Sequence, residues 1–278
     1  LRYIIQLAVS RHGGGDPVRQ IRSIMGVLSV YMRSFVDVMS DRSLMNRSLF
    51  SSSLNIYRAL KWFNIAFSFL LFVPVFASLV SFNLPHLLGY LIMAFLGYAT
   101  WIFQGITGVP IFEEIRFLAL LHLNLHSVFG MWLEFYNRFV IYDDILHIHG
   151  GFLGAVAIFP FVLGSSLAWS NLPERAVRWK VWFSALSIVN MFGVFWEIFE
   201  FVSDRIFRNY PGYRMAQENS LNDTMLDLIY NNIGASIGIL VFWWYLRKSR
   251  DVNAFMEKMG RKLGEFLGNG RKRVRTEN

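Results

Sequence analysis

LKWFNIAFSFLLFVPVFASLVSF, residues 60–82, is the stretch whose reading decides the fold. Its one charge, Lys61, stands near the start, and only Asn64 and scattered serines interrupt an otherwise apolar run. A helix crosses a bilayer core with about 20 mostly apolar residues. A helix apolar on every face has no side to show to water. Comparable runs follow near 87–109, 115–138, 146–169, 178–202 and 226–246. The chain reads as an all-α polytopic membrane bundle of about six transmembrane helices. Pro74 and Pro160 fall inside spans, where a kink is expected if neighbours satisfy the freed carbonyl.

Composition agrees and excludes other classes. Hydrophobic residues make up 54% of the chain, and charged residues 17% against a globular norm of about 25%. No cysteine is present, so disulfides and thiolate metal sites are excluded. The net charge of +8 could suit nucleic acid, but the basic residues are split between the two ends and form no nucleic-acid motif. The chain opens on Leu1 rather than Met, as a trimmed or partial N-terminus would. Residues 1–9 are too short for a secretion signal, and no targeting peptide is read.

Three regions follow: a basic N-terminal region 1–59, a six-helix membrane domain 60–246, and a basic tail 247–278. Eight arginines precede the first span and ten Lys or Arg follow Leu246. Excess Lys and Arg mark the cytoplasmic side. Both termini are therefore expected in the cytoplasm of a protein of the plasma membrane. Ile21, Ile24, Met25, Leu28, Met32, Phe35 and Met39 give the N-terminal region one apolar helical face. Phe255, Met259, Leu263 and Phe266 repeat the pattern in the tail. Such basic amphipathic helices suit the anionic inner leaflet, and membrane lipids are the expected partners. They serve equally to pack on the bundle.

Three acidic clusters then stand at span ends on the expected outer side: Asp143-Asp144-x-x-His147, Glu197-x-x-Glu200-x-x-x-Asp204, and Asp223-x-x-x-Asp227-x-x-x-Asn231. A charged residue at the bilayer centre costs on the order of 3 kcal/mol, so grouped acids argue for a site. Asp143 and His147 are four apart and share a helix face, whereas His149 points the other way. Asp144 suits a helix cap. Glu197, Glu200 and Asp204 sit at the negative end of a helix dipole, where they need a proton, an arginine or a metal. Arg205, Arg208 and Arg138 are the arginines at hand. Asn222 or Asp223 is expected to cap the last span, with Asp227 and Asn231 facing inward. Gly150, Gly151 and Gly154, with the G-x-x-x-G of Gly234 and Gly238, allow close helix approach. His126 adds an imidazole from the third span, with Glu134 two turns further out.

The run His126-Ser127-Val128-x-Gly130, then Tyr142-Asp143-x-x-x-His147-x-x-Gly150-Gly151-Phe152, resembles the YjdF-like uncharacterised membrane proteins. The resemblance continues through Trp196-Glu197-x-x-Glu200, Gln217, Asp223-Thr224-x-x-x-Asp227 and Gly234-Ala235, covering roughly residues 86–246. The chain departs from that pattern at Gln217-Glu218, where the family has Gln-Gly, and at Asn222, where it has tryptophan. The layout is more remotely similar to VanZ-like proteins. The resemblance implies one polar unit and no particular reaction.

Two functions compete for these residues. In the first, Asp143, His147, Glu197, Glu200, Asp223 and Asp227 ligate Zn, Mn or Mg. His126 or Glu134 is the general base, and Arg205 or Arg208 holds the phosphate of a lipid or lipid-linked substrate undergoing hydrolysis or transfer. Asp204, Asn231 and Gln217 complete the polar site. In the second, the same groups conduct protons or ions. Against transport, no repeated half is evident and the acids crowd one side. Helix glue ranks third, since such contacts contribute only about 0.6 kcal/mol each.

Overall fold

A computed structural model describes residues 50–109, 111–169, 174–211, 213–217, 220–246, 256–257 and 260–268. The apolar face expected over 21–39, most of the basic ends, Glu218, Phe255 and Met259 lie outside the described residues. Helices and their connections make up the described residues, with no strand among them. The first apolar run forms α1 (Phe50–Leu70) and α2 (Phe72–Val80), and α3 (Leu84–Thr107) follows. Then come α4 (Glu113–Asn124), a π-helical segment (Leu125–Trp132) and the short α5 (Phe135–Arg138). The long helices α6 (Tyr142–Trp169), α7 (Glu174–Phe207) and α8 (Leu221–Leu246) complete the bundle.

Among the described residues, five stretches are long and apolar enough to cross a membrane: Arg58–Val80, Leu84–Thr107, Tyr142–Trp169, Val177–Phe207 and Leu221–Trp244. Phe69, Phe76, Phe95, Phe183 and Phe195 are exposed on their outer faces, an arrangement suited to hydrocarbon rather than water. The two prolines behave differently. The α1–α2 break falls at Leu71, just before Pro74, whose ring displaces the carbonyl four residues back and which offers no N–H. Pro160 is accommodated within a continuous α6.

The run at 115–138 departs from the expected single long span. Glu113, Glu114 and Arg116 occupy its start, and the helix widens to π geometry from Leu125 before breaking at Glu134. Glu134 has φ 60° and ψ 31°, a left-handed conformation that costs a non-glycine residue about 1–3 kcal/mol. Past that turn the Tyr136 ring folds back onto Gly130, where a methyl group would lie 2.4 Å from ring carbon Cε2. The segment still runs from the C-terminal end of α3 to the start of α6. Arg116 Nη2 donates to Gln104 Oε1 at 2.9 Å at one end, and Tyr142 Oη donates to Leu125 O at 2.7 Å at the other.

α6 and α8 form the closest helix pair, and glycine is the cause. A methyl at Gly151 would stand 2.1 Å from Asn231 O, and one at Gly234 would stand 1.9 Å from Ile148 O. The backbones touch, as the spaced glycines predict. Below that contact Val156, Phe159, Ile239 and Phe242 form a buried apolar core with Val181 of α7. The described part of the tail packs on this bundle. Trp169 Nε1 donates to Gly260 O at 3.1 Å, Met256 is fully buried, and Leu263 lies against the core. Phe266, expected on the same face as Leu263, is exposed.

Candidate functional site

The glycine contact between α6 and α8 aligns their polar first turns. His147 Nε2 lies 3.5 Å from Asp143 Oδ1, one turn earlier on α6, and 3.8 Å from Asp227 Oδ1 on α8. The other ring nitrogen, Nδ1, is 3.4 Å from Asn231 Nδ2. Gly193 of α7 makes room for that amide, since a methyl there would approach Asn231 Nδ2 to 3.0 Å. Ligand atoms of Asp143, His147 and Asp227 all fall within 4.8 Å of one another. His147 and Asp227 are buried, and neither oxygen of Asp227 has a hydrogen-bond donor among the described residues.

His126 enters from the π-helical segment. Its Nδ1 is 2.6 Å from the Tyr136 hydroxyl, and its ring meets Trp196 of α7 edge-on at 5.2 Å. A cavity of about 360 Å³ joins His126 to Asp143, His147, Trp196 and Asn231. A second, of about 450 Å³, is lined by His126, Tyr136, Asp143, Glu134, Glu200 and Arg214 among others. Arg214 stands over the Tyr136 ring at 5.0 Å, and Trp196 Nε1 donates to Glu200 Oε1 at 2.8 Å. Glu134 is exposed at the chain break beside this cavity.

The remaining expected site residues scatter around that centre. Glu197 is buried and lines a different cavity, between α7 and α8, together with Arg205, Arg208 and Gln217. Asp223 is buried one turn before Asp227, outside the three-residue group. The cap of α8 is Ser220 rather than Asn222 or Asp223. Its Oγ and carbonyl both take the N–H of Asp223, so the helix starts two or three residues early.

Asp204 has a structural task. It accepts from Tyr213 Oη at 2.9 Å, Ala216 N at 2.8 Å and Gln217 N at 2.9 Å, fixing the α7–α8 connection over the site. Burial pushes the Tyr213 hydroxyl up to about 12, which keeps it a donor at neutral pH. The fixed connection lets Gln217 Nε2 reach Thr224 Oγ1 at 3.0 Å.

Sequence spacing did not point to Tyr136, because its partner His126 lies across the Glu134 break. Nor did it pair His122 with His149, whose Nδ1 atoms are 3.0 Å apart. The orientation of His149 away from His147 was legible; its meeting with His122 was not.

Residues 44–248 match the family described as predicted membrane protein (DUF2238). The chain belongs to that family. It is also similar to an uncharacterized protein of Thermotoga maritima, 30% identical over 165 residues, which is 59% of this chain and 80% of that protein. No solved structure matches. Membership is consistent with the YjdF-like resemblance and lends nothing to the VanZ-like one. Every residue of the three-member group falls inside the matched region.

Proposed function

We propose that this membrane protein holds a divalent metal on Asp143, His147 and Asp227 and uses it on a phosphate ester carried by a lipid. One observation carries the reading. Asp227 buries a carboxylate without a hydrogen-bond donor, beside a histidine and a second carboxylate. Isolated buried anions are strongly unfavourable, and a cation is the natural remedy. Ligand atoms bound ~2.1 Å from one ion stand ~3–4 Å apart, close to the separations of 3.5 and 3.8 Å found here. Two carboxylates and one imidazole suit Zn, Mn or Mg. With its amide turned over, Asn231 would accept from His147 Nδ1–H and leave Nε2 to the metal, the usual outer-shell arrangement.

Three protein ligands leave positions open for water and a phosphate oxygen. His126, hydrogen-bonded to the Tyr136 hydroxyl at 2.6 Å and lining the same cavity, would be the proton acceptor beside a bound metal. Glu200 and Glu134 line the approach. The basic segments 1–59 and 247–278 favour a cytoplasmic side for both ends and contact with anionic lipid. That orientation puts the site on the outer face of the cell membrane and makes the α4–π segment a sixth crossing. A proton or ion path is the second reading, favoured by the deeper Asn190–Asn232 hydrogen bond of 2.8 Å and the His122–His149 pair. The apolar layer of Val156, Phe159, Ile239 and Phe242 below them weighs against a continuous path.

Metal content of the detergent-purified protein, measured by mass spectrometry, tests the proposal. Wild type is expected to hold near-stoichiometric metal, lost in Asp143→Asn and Asp227→Asn. Folded wild-type protein without metal would overturn the metal centre and favour the proton path.

A further inference from the structure

We infer that the cavity between α7 and α8 is a headgroup site for a phospholipid bearing a primary ammonium, the amine at Glu197 and the phosphate at Arg205 and Arg208. As a binding site it stands apart from the metal reading above. The cavity holds about 620 Å³ and shares no lining residue with the Asp143–His147–Asp227 group.

Three observations select the occupant. The first is Glu197, only 5% exposed, whose carboxylate has no cationic side chain within hydrogen-bond reach among the described residues. Gln217 and Thr224, which line the same cavity, are the neutral groups that reach toward it; Gln217 Nε2 also donates to Thr224 Oγ1 at 3.0 Å and to the Glu197 backbone carbonyl at 3.3 Å. An acceptor-only group at the end of a cavity calls for an N–H donor with positive charge.

The second is the position of the arginines. The Arg205 guanidinium stands 5.3 Å over the ring of Phe201, and Arg205, Arg208 and Phe201 line the same cavity as Glu197. Guanidinium groups match phosphate oxygens in geometry as well as charge.

The third is the wall. Ile198, Phe201 and Leu221 are exposed as well as lining the cavity, so its mouth continues onto the helices' lipid-facing surface. The acyl chains can stay in the bilayer while the headgroup enters sideways. A soluble phosphoamine would gain nothing from those side chains.

Lipid retention tests this directly. The full chain is delipidated, equilibrated with equimolar phosphatidylethanolamine, phosphatidylcholine and phosphatidylglycerol, and the retained lipid is read by native mass spectrometry. Wild type should retain phosphatidylethanolamine about tenfold over phosphatidylcholine, and retention should fall stepwise as the amine is methylated. E197Q should bring the ratio near unity. R205Q/R208Q, at exposed positions, should weaken all three lipids alike. D227N should leave the preference intact. Equal retention by wild type, preference for phosphatidylglycerol, or a preference that survives E197Q would overturn the site. The methylation series uses wild type alone and so decides the matter even if E197Q fails to fold. A wild type that prefers phosphatidylethanolamine yet holds no metal would support this site and sink only the metal centre.

Discussion

Two buried polar clusters stand at opposite ends of the same bundle, and only one of them has its carboxylate satisfied. At the α3–α4 end, Glu113 Oε1 pairs with Arg116 Nη1 and Oε2 accepts from Asn64 Nδ2 at 2.8 Å. Arg116 also donates to Thr100 Oγ1 at 3.2 Å and Gln104 Oε1 at 2.9 Å, and lies over Trp101 at 4.6 Å. At the α6–α8 end, Asp227 is buried and accepts no hydrogen bond from a described residue, and the buried Glu197 of α7 has only the neutral Gln217 and Thr224 as hydrogen-bonding neighbours. A cluster whose partners all come from the chain holds helices together. One that leaves its carboxylates open keeps them for something from outside.

The harshest way to break this comparison is to unpair the satisfied end. Arg116→Ala strands the buried Glu113 carboxylate and should cost about 3–5 kcal/mol, the scale for removing one partner of a buried ion pair. Thermal unfolding in detergent should show it as a large fall in Tm or a failure to fold. A change of a degree or two would mean that this end is not the structural clamp.

Nearly as large should be the effect of prising α6 from α8. Gly234→Val would drive its side chain into Ile148 O, where even a methyl would stand at 1.9 Å. Overpacking commonly costs about 1–3 kcal/mol, and a backbone collision belongs at the upper end. The same substitution should abolish metal retention, because His147 and Asp227 face each other only through that contact. Retained metal in a folded Gly234→Val protein would break the link between the glycines and the site.

The open end should answer in the opposite sense. Asp227→Asn removes a buried charge that no donor stabilises, so the metal-free protein should hold its stability or gain about 1 kcal/mol, while metal binding disappears. Measured side by side, Arg116→Ala and Asp227→Asn should move Tm in different directions. If both fall alike, the distinction between clamp and site fails.

Much of this was legible because helices impose a period. The four-residue step fixed Asp143 with His147 and Asp227 with Asn231 before any fold was known, and it set His149 apart from His147. The glycines signalled a close approach. Spacing could not say which helices would meet, so it gathered Glu197, Glu200 and Asp223 with the rest, whereas backbone contact at Gly151 and Gly234 selects Asp143, His147 and Asp227. The break at Glu134 was hidden because a left-handed residue without glycine leaves no compositional mark. Asp204 looked like a site acid because its three donors come from a loop whose path a sequence does not give.

That loop provides the finest test. Tyr213→Phe deletes one hydrogen bond to Asp204 and should cost about 1 kcal/mol, with Ala216 N and Gln217 N still in place. The pH dependence sharpens it. The folded hydroxyl titrates near 12 against an ordinary 10, so the unfolded chain gives up its proton first. The stability it contributes is full below pH 10 and is lost as pH rises toward 12. Wild type should therefore lose Tm across that window more steeply than Tyr213→Phe, and the two curves should converge at its upper end. Parallel curves would place Tyr213 in water, release the α7–α8 connection from Asp204, and remove the reason for Gln217 to stand at Thr224.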